Sequence, residues 1–387
     1  MNKYPPNKKS HIRFVDYLDR VSTTSKNDFN SAYKKWKEDH EHILDLIVML
    51  ALEKQEEESV LEKQQEDVTL REKVTIACKL KTTDDLLVLL QENPYDESKE
   101  YNIDLKSLHK IKEELETLHH MVGLVKLKTC ILNQLLYFIQ GFDVMDNDMA
   151  FADYKHTIFV GPPGTGKTEV AKIIGKMYSK LGILKKEVFK KVTRTDLIAG
   201  YLGQTAIKTR KVIDQCIGGV LFIDEAYSLQ NDDTYAKECV NTLCEALSDN
   251  KQDLMVIVAG YENELNETFF EINKGLRSRF LWKFTMEPYD ASELAQIFIT
   301  KVNQNKWVLD FDALPKWMKD RKDKFLYNGR DMEQLFTYVK ITHSHRVYGL
   351  DGSEKRKISK EDMDSGFETF LENRKVSNSS NISAMYT

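Results

Sequence analysis

Gly161-Pro162-Pro163-Gly164-Thr165-Gly166-Lys167-Thr168 fills every fixed position of the phosphate-loop pattern G-x-x-x-x-G-K-[ST]. The glycines let the backbone curl so that successive N–H groups point into one anion-sized hollow. Lys167 brings a positive charge to the β- and γ-phosphates, and the Thr168 hydroxyl is suited to ligate Mg²⁺. The flanking sequence supplies the setting that this chemistry needs. His156-Thr157-Ile158-Phe159-Val160 is a short apolar, β-rich run, and Glu169 to Tyr178 carries apolar residues at helical spacing. Strand, glycine loop and helix N-terminus, with the positive end of the helix dipole at the loop, predict a site for Mg-ATP. Its contacts are expected from Gly161 through Glu169.

Outward from the loop, strands and helices alternate. Candidate strands lie at 157–160, 188–192, 220–223, 254–259 and 282–284, with helical stretches between them. That alternation predicts an α/β fold on a largely parallel sheet. Beyond Pro288 the strand signals stop, so a small helical lid domain is expected at 289–375, after a large domain at 105–288. Upstream, Phe29, Trp36, Ile43 and Leu50 recur every seven residues. Together with helical segments expected at 68–80 and 84–92, they predict a helical N-terminal module. A turn at Asn93-Pro94-Tyr95-Asp96 opens a linker, and module and linker together span 28–104. The polar ends, 1–27 and 376–387, read as disordered.

Composition narrows the function classes. The 387 residues carry a formal charge of −5, which gives no global attraction for nucleic acid. Cys78, Cys130, Cys216, Cys239 and Cys244 form no CxxC pair and no metal-ligand spacing. They read as free thiols of a reducing compartment. Met1 to Pro6 lacks the apolar core of a signal peptide, and the longest apolar run, Leu46 to Leu52, is too short to span a bilayer. The expectation is a cytoplasmic protein with no membrane partner.

Downstream of the loop, Gly218-Gly219-Val220-Leu221-Phe222-Ile223-Asp224-Glu225-Ala226 places two carboxylates at the C-terminal end of a buried strand. In a parallel α/β sheet that end lies beside the phosphate loop. Asp224 is therefore the candidate Mg²⁺ ligand alongside Thr168, and Glu225 the base that activates the attacking water. Arg277 and Arg279, in Gly275-Leu276-Arg277-Ser278-Arg279-Phe280, are candidates to stabilise charge on the transferring phosphoryl group. Arg330, in Asn328-Gly329-Arg330-Asp331, could reach the γ-phosphate from the lid side or merely cap and solvate its helix.

Taken in order, these elements resemble an AAA+ ATPase, and within that class the CbxX/CfqX family, which includes the red-type Rubisco activase and the stage V sporulation protein K. The resemblance covers roughly residues 115–350. It rests on Val122-Gly123-Leu124-x-x-x-Lys128, then Thr195-Asp196-Leu197-x-x-Gly200-Tyr201-x-Gly203-x-Thr205-Ala206. It continues through Phe222-Ile223-Asp224-Glu225-Ala226-Tyr227, Ala259-Gly260-Tyr261 and Asn273-x-Gly275-Leu276-Arg277-Ser278-Arg279. It implies a homo-oligomer, a hexamer, that acts on a protein client. Tyr201 matches the aromatic pore-loop position that grips polypeptide. Arg279 matches the arginine finger given to a neighbouring subunit, with Arg277 as second choice. Arg330 matches the second sensor, and Val122 and Gly123 part of the adenine pocket. Departures are Ala259-Gly260-Tyr261 where many relatives carry a polar first sensor, Asn273-Lys274-Gly275 for Asn-Pro-Gly, and Tyr235-Ala236-Lys237-Glu238-Cys239 for Tyr-Gly-x-Glu-Ala. They mark a divergent member whose client need not be Rubisco.

The leading expectation is thus an ATP-hydrolysing ring that remodels or threads a protein client. The alternative is an ATP-switched clamp or scaffold acting on nucleic acid or a protein assembly. The acidic balance and the lack of a basic stripe interleaved with aromatics weigh against nucleic acid.

Overall fold

A computed structural model describes Lys34 and residues 71–143, 153–201, 203–230 and 233–384. The expectations for 1–27 and for the heptad helix after Asp28 lie, Lys34 aside, outside these residues. The chain divides into two compact units, Met1–Val74 with Glu97–Glu100, and Thr75–Asp96 with Tyr101–Thr387.

The described part of the first unit holds β-structure at Glu72–Val74 and Lys99–Glu100. Strand β1 (Glu72–Val74) pairs with β2 (Lys99–Tyr101). Two exposed ion pairs join these strands, Lys99–Glu72 at 3.5 Å and Lys73–Glu100 at 3.8 Å. The helix expected at 68–80 is therefore corrected to a short strand followed by irregular chain. Val74, Thr75 and Ile76 are consecutive β-branched residues, which favour a pleated surface over a helix.

The second unit begins with α1 (Thr83–Glu92), α2 (Leu105–Lys110), α3 (Lys112–His120) and α4 (Val125–Ile139). Thr82 starts α1 in a capping box with Asp85. The α/β core then runs β3 (Thr157–Val160), α5 (Lys167–Lys180), β4 (Phe189–Val192), α6 (Arg194–Leu197), α7 (Thr205–Asp214), β5 (Val220–Ile223), α8 (Thr234–Asp249), β6 (Met255–Gly260), α9 (Glu262–Glu267), α10 (Phe269–Ile272) and β7 (Trp282–Thr285). All five strands expected from the sequence form, within one or two residues at their ends. They make one parallel sheet of order β4-β5-β6-β3-β7.

Each central strand is buried on both faces, so alternate residues serve two cores. Val220, Phe222, Met255, Ile257 and Ala259 pack with α4 and α5. Leu221, Ile223, Val256 and Val258 pack with α7, α8 and α10. Continuous apolar runs are what a doubly covered parallel strand requires. Leu86, Leu87, Leu89 and Leu90 of α1 join the first of these cores. The helix read as the end of a separate module thus belongs to the α/β core, and the core has no break at residue 104. Its leucines are amphipathic in either setting, which is why periodicity alone did not assign it.

The lid comprises α11 (Ala291–Gln304), α12 (Leu314–Lys319), α13 (Asn328–Arg346) and α14 (Lys360–Ala384), packed about Phe298, Trp317, Leu335, Phe336 and Phe370. Two departures from the expected all-helical lid occur. Val308–Leu309 (β8) and Lys357–Ile358 (β9) form a two-residue parallel pair, too short to leave a periodic signal. Helix α14 also runs to Ala384, through residues read as a disordered tail. Once its buried stem is formed, each added turn needs no new nucleus. No helix among the described residues is long and apolar enough to cross a membrane.

Candidate nucleotide site

The phosphate loop leaves β3 and enters α5 at Gly166, which caps the helix at φ 95°. Gly164 has φ 74°, and a Cβ there would stand 2.0 Å from the Tyr327 carbonyl oxygen. Only glycine meets both demands. The Lys167 ammonium lies over the start of the loop and donates to the Gly161 and Pro162 carbonyls, both at 2.8 Å. Burial pushes its pKa down, and the nearby Asp224 carboxylate opposes that shift. Thr165 is buried and donates its hydroxyl to the Pro162 carbonyl at 2.9 Å.

At the end of β5 the two acids turn different ways. The Asp224 N–H donates to the Val192 carbonyl at 2.9 Å, continuing the sheet ladder beyond Ile223. Its carboxylate pairs with Lys191 at 2.6 Å. Glu225 then adopts φ 51°, a left-handed conformation that costs a non-glycine residue on the order of 1 kcal/mol or more. This turn breaks the strand, so both carboxyl-bearing residues border one cleft of ≈ 1000 Å³. Tyr227 and Tyr261 border it too, with ring centroids 5.8 Å apart. Burial drives the Tyr227 phenol up to about 12.

The lid closes the cleft from the other side. Arg330 and Glu333 of α13 and Ile297, Thr300 and Lys301 of α11 line it, as do Met121 and Val122. Gly123 does not. It has φ 64°, and a Cβ there would meet the Glu293 carboxylate at 2.1 Å. Lys128 holds this bend by donating to the His119 and Met121 carbonyls at 2.9 and 2.7 Å.

Lys167, Thr168, Glu169, Asp224, Glu225 and Arg330 border one cleft. Arg277 and Arg279 do not line it. Arg279 donates to the Gly275 carbonyl at 2.6 Å and to Ser248 Oγ at 2.8 and 3.0 Å. Arg277 is exposed, donates to Asn266 Oδ1 at 3.1 Å, and lies over the Phe270 ring. Tyr201 also stands apart, 74% exposed on the segment between α6 and α7.

Sequence reasoning missed Lys191, Tyr289, Asn328 and the lid residues of α11. Lys191 lies in register beside Phe222, two residues before Asp224, and that register is what brings it to Asp224. Tyr289 donates its hydroxyl to the Thr165 carbonyl at 2.9 Å from 124 residues away, a contact that no local pattern announces.

The residues fit a polyphosphate with a divalent cation. Gly161, Gly164 and Gly166 of the loop border the cleft, Lys167 and Arg330 supply positive charge, and Thr168 and Asp224 offer hard oxygen donors to it.

A model of the ATPase family associated with various cellular activities (AAA) matches residues 157–287. A cfxQ-like protein of Acanthamoeba polyphaga mimivirus is 35% identical over 292 residues, covering 74% of this chain and 71% of its own length. The ESX-3 secretion system protein EccA3 of Mycolicibacterium smegmatis is 34% identical over 240 residues, and the match spans 60% of this chain but 36% of that protein. Among solved structures, the FIGL-1 AAA domain in complex with ADP superimposes with a TM-score of 0.48 and 18% identity, covering 65% of this chain and 83% of that one.

Proposed function

The chain belongs to the AAA family of ATPases, and from that premise we propose that it hydrolyses Mg-ATP as a ring of identical subunits that remodels or threads a protein client. One observation carries the reading. Lys167, Asp224 with Glu225, and Arg330 come from three separate segments of the chain and border a single cleft beside the phosphate loop. Phosphoryl transfer asks for little covalent help and much positioning, so such convergence is the main requirement.

The loop N–H groups and Lys167 bind the β- and γ-phosphates. Met121 and Val122, with Ile297 across the cleft, offer apolar surface for a base. Bound Mg²⁺, held by Thr168 and by Asp224 directly or through water, would neutralise charge developing on the phosphate oxygens. Direct coordination by Asp224 would compete with its ion pair to Lys191. Glu225, one residue on, orients the attacking water and takes its proton. Arg330 stabilises the equatorial oxygens from the lid.

Arg279 lies away from its own cleft, which supports a finger acting on the neighbouring subunit's nucleotide, and Arg277 is the second choice. Tyr201, largely exposed, suits a pore position that would grip polypeptide. The likeness to a cfxQ-like protein supports placement near the CbxX/CfqX family, and a hexamer is the ring that reading implies.

The test is the Mg-ATPase rate per subunit as a function of protein concentration, with subunit mass followed in parallel. A rate that rises steeply and then plateaus with assembly is expected. A monomer that turns over at the same rate as the assembly would overturn the shared site.

A further inference from the structure

The backbone carbonyls of the phosphate loop are each engaged, and they divide into two sets. Those of Gly161 and Pro162 accept from the loop's own Lys167. Those of the next three residues accept from the far side of the cleft. Asn328 Nδ2 donates to Pro163 at 3.1 Å, the Gly329 N–H to Gly164 at 2.9 Å, and the Tyr289 hydroxyl to Thr165 at 2.9 Å. Asn328 Oδ1 in turn accepts from the Tyr289 N–H at 3.1 Å, so the three donors form one connected brace.

Asn328 is built into place. It is 2% exposed and holds φ 50°, a left-handed conformation that asparagine tolerates better than other side-chain-bearing residues. Its backbone neighbours approach so closely that a Cβ on Gly329 would stand 2.9 Å from the Gly164 oxygen.

In a planar trans peptide the C=O and N–H point in opposite directions, so pinning one aims the other. Pinning the carbonyls of Pro163, Gly164 and Thr165 aims the N–H groups of Gly164, Thr165 and Gly166. Pro162 and Pro163 have no N–H, which leaves those three as the first donors the loop can offer an anion. None of the three donates to a protein acceptor among the described residues.

We propose that Asn328 is a positioning residue for the phosphate cradle: through its amide and through Tyr289 it turns the three central peptides of the loop so that their N–H groups face the polyphosphate. Lid and loop are then one anion site, quite apart from the charge of Arg330. This rests on the reading that the cleft takes a nucleoside polyphosphate.

The experiment is equilibrium binding of ADP, and displacement of labelled ADP by inorganic pyrophosphate, for the full chain and for Asn328→Gly and Tyr289→Phe. Glycine accepts φ 50° freely, so Asn328→Gly removes the amide without straining the turn. Losing a hydrogen bond of this kind is expected to weaken ADP and pyrophosphate together by roughly three- to tenfold, with the thermal melt still cooperative. Parallel loss for pyrophosphate, which has no base or sugar, separates cradle geometry from lost contacts to the base or sugar. If Asn328→Gly does not fold, Tyr289→Phe, which deletes one hydroxyl, must show the same parallel loss. ADP and pyrophosphate affinities within twofold of the unaltered chain in the folded variants would overturn the inference and leave the nucleotide reading standing. Failure of the unaltered chain to bind ADP would overturn both.

Discussion

The ends of β3 and β5 and the segment Lys274–Arg279 carry the charged side chains that the proposed function assigns to phosphoryl transfer, yet the fold treats them differently. At the strand ends, chain reversals bring Lys167, Asp224 and Glu225 to one cleft, and the lid adds Arg330. In the arginine segment, Arg279 is fastened to Ser248 and Gly275 outside that cleft. A single chain thus brings Lys167, Asp224, Glu225 and Arg330 to one cleft and keeps Arg279 outside it. Under the proposed function, binding is a property of one subunit and chemistry a property of a pair.

The largest expected effect would break that comparison outright. Arg279→Ala should lower the ATPase rate by about 10³-fold or more while ADP still binds, the scale on which arginine fingers act. Glu225→Gln should lower it by about 10²- to 10³-fold, again with binding kept. Mixing the two inactive proteins sharpens the point. An intact Glu225 cleft can then meet an intact Arg279 from its neighbour, so steady-state turnover should partly return. If both groups act within one chain, no mixture will recover activity.

Gly164→Ala comes next, and its damage should fall on the binding half. The added methyl would collide with the Tyr327 carbonyl and be held at a positive φ. A loss of nucleotide affinity of about tenfold or more is expected in a titration with labelled ADP, with some loss of stability at a cost of about 1–3 kcal/mol.

The smallest effect on the cleft should come from the interior of the lid. Asp362 is buried and would be pushed up by burial, but hydrogen bonds from Arg346, the Ser359 N–H and His343 hold it well below its ordinary value of 3.8. Its stabilisation is therefore full above about pH 4 and is lost as pH falls further, through the folded-state pKa. Asp362→Asn should cost about 3 kcal/mol at neutral pH by leaving Arg346 without its partner, and should flatten this acid dependence in a denaturant series. Its effect on ADP affinity should be minor, since the group does not reach the cleft.

How much of this was legible in the sequence follows the same division. The five strands and the phosphate loop write themselves locally, as apolar runs and a glycine pattern within a dozen residues. Asp224 and Glu225 were readable because a strand end beside a phosphate loop has one meaning in a parallel sheet. Lys191, Tyr289 and Asn328 were not readable as site residues, because their importance arises from register and from contacts spanning more than a hundred positions. The leucines of α1 showed a helix but not which core it would join. The strand pair at β8 and β9 is simply too short for periodicity to register.

The brace between Tyr289, Asn328 and the loop has a further consequence, for the order in which the molecule acquires its form. Its hydrogen bonds join residues 124 and 165 positions apart, so the loop is fully braced only once Tyr289 and Asn328 are in place. Such distant closures come late and are slow. A ligand that fits only the closed loop would then act on the entire unit rather than on a loop. At a hundred times its dissociation constant it would add about 2.7 kcal/mol to the free energy of unfolding. Nucleotide would in that sense be the last structural element to join the fold.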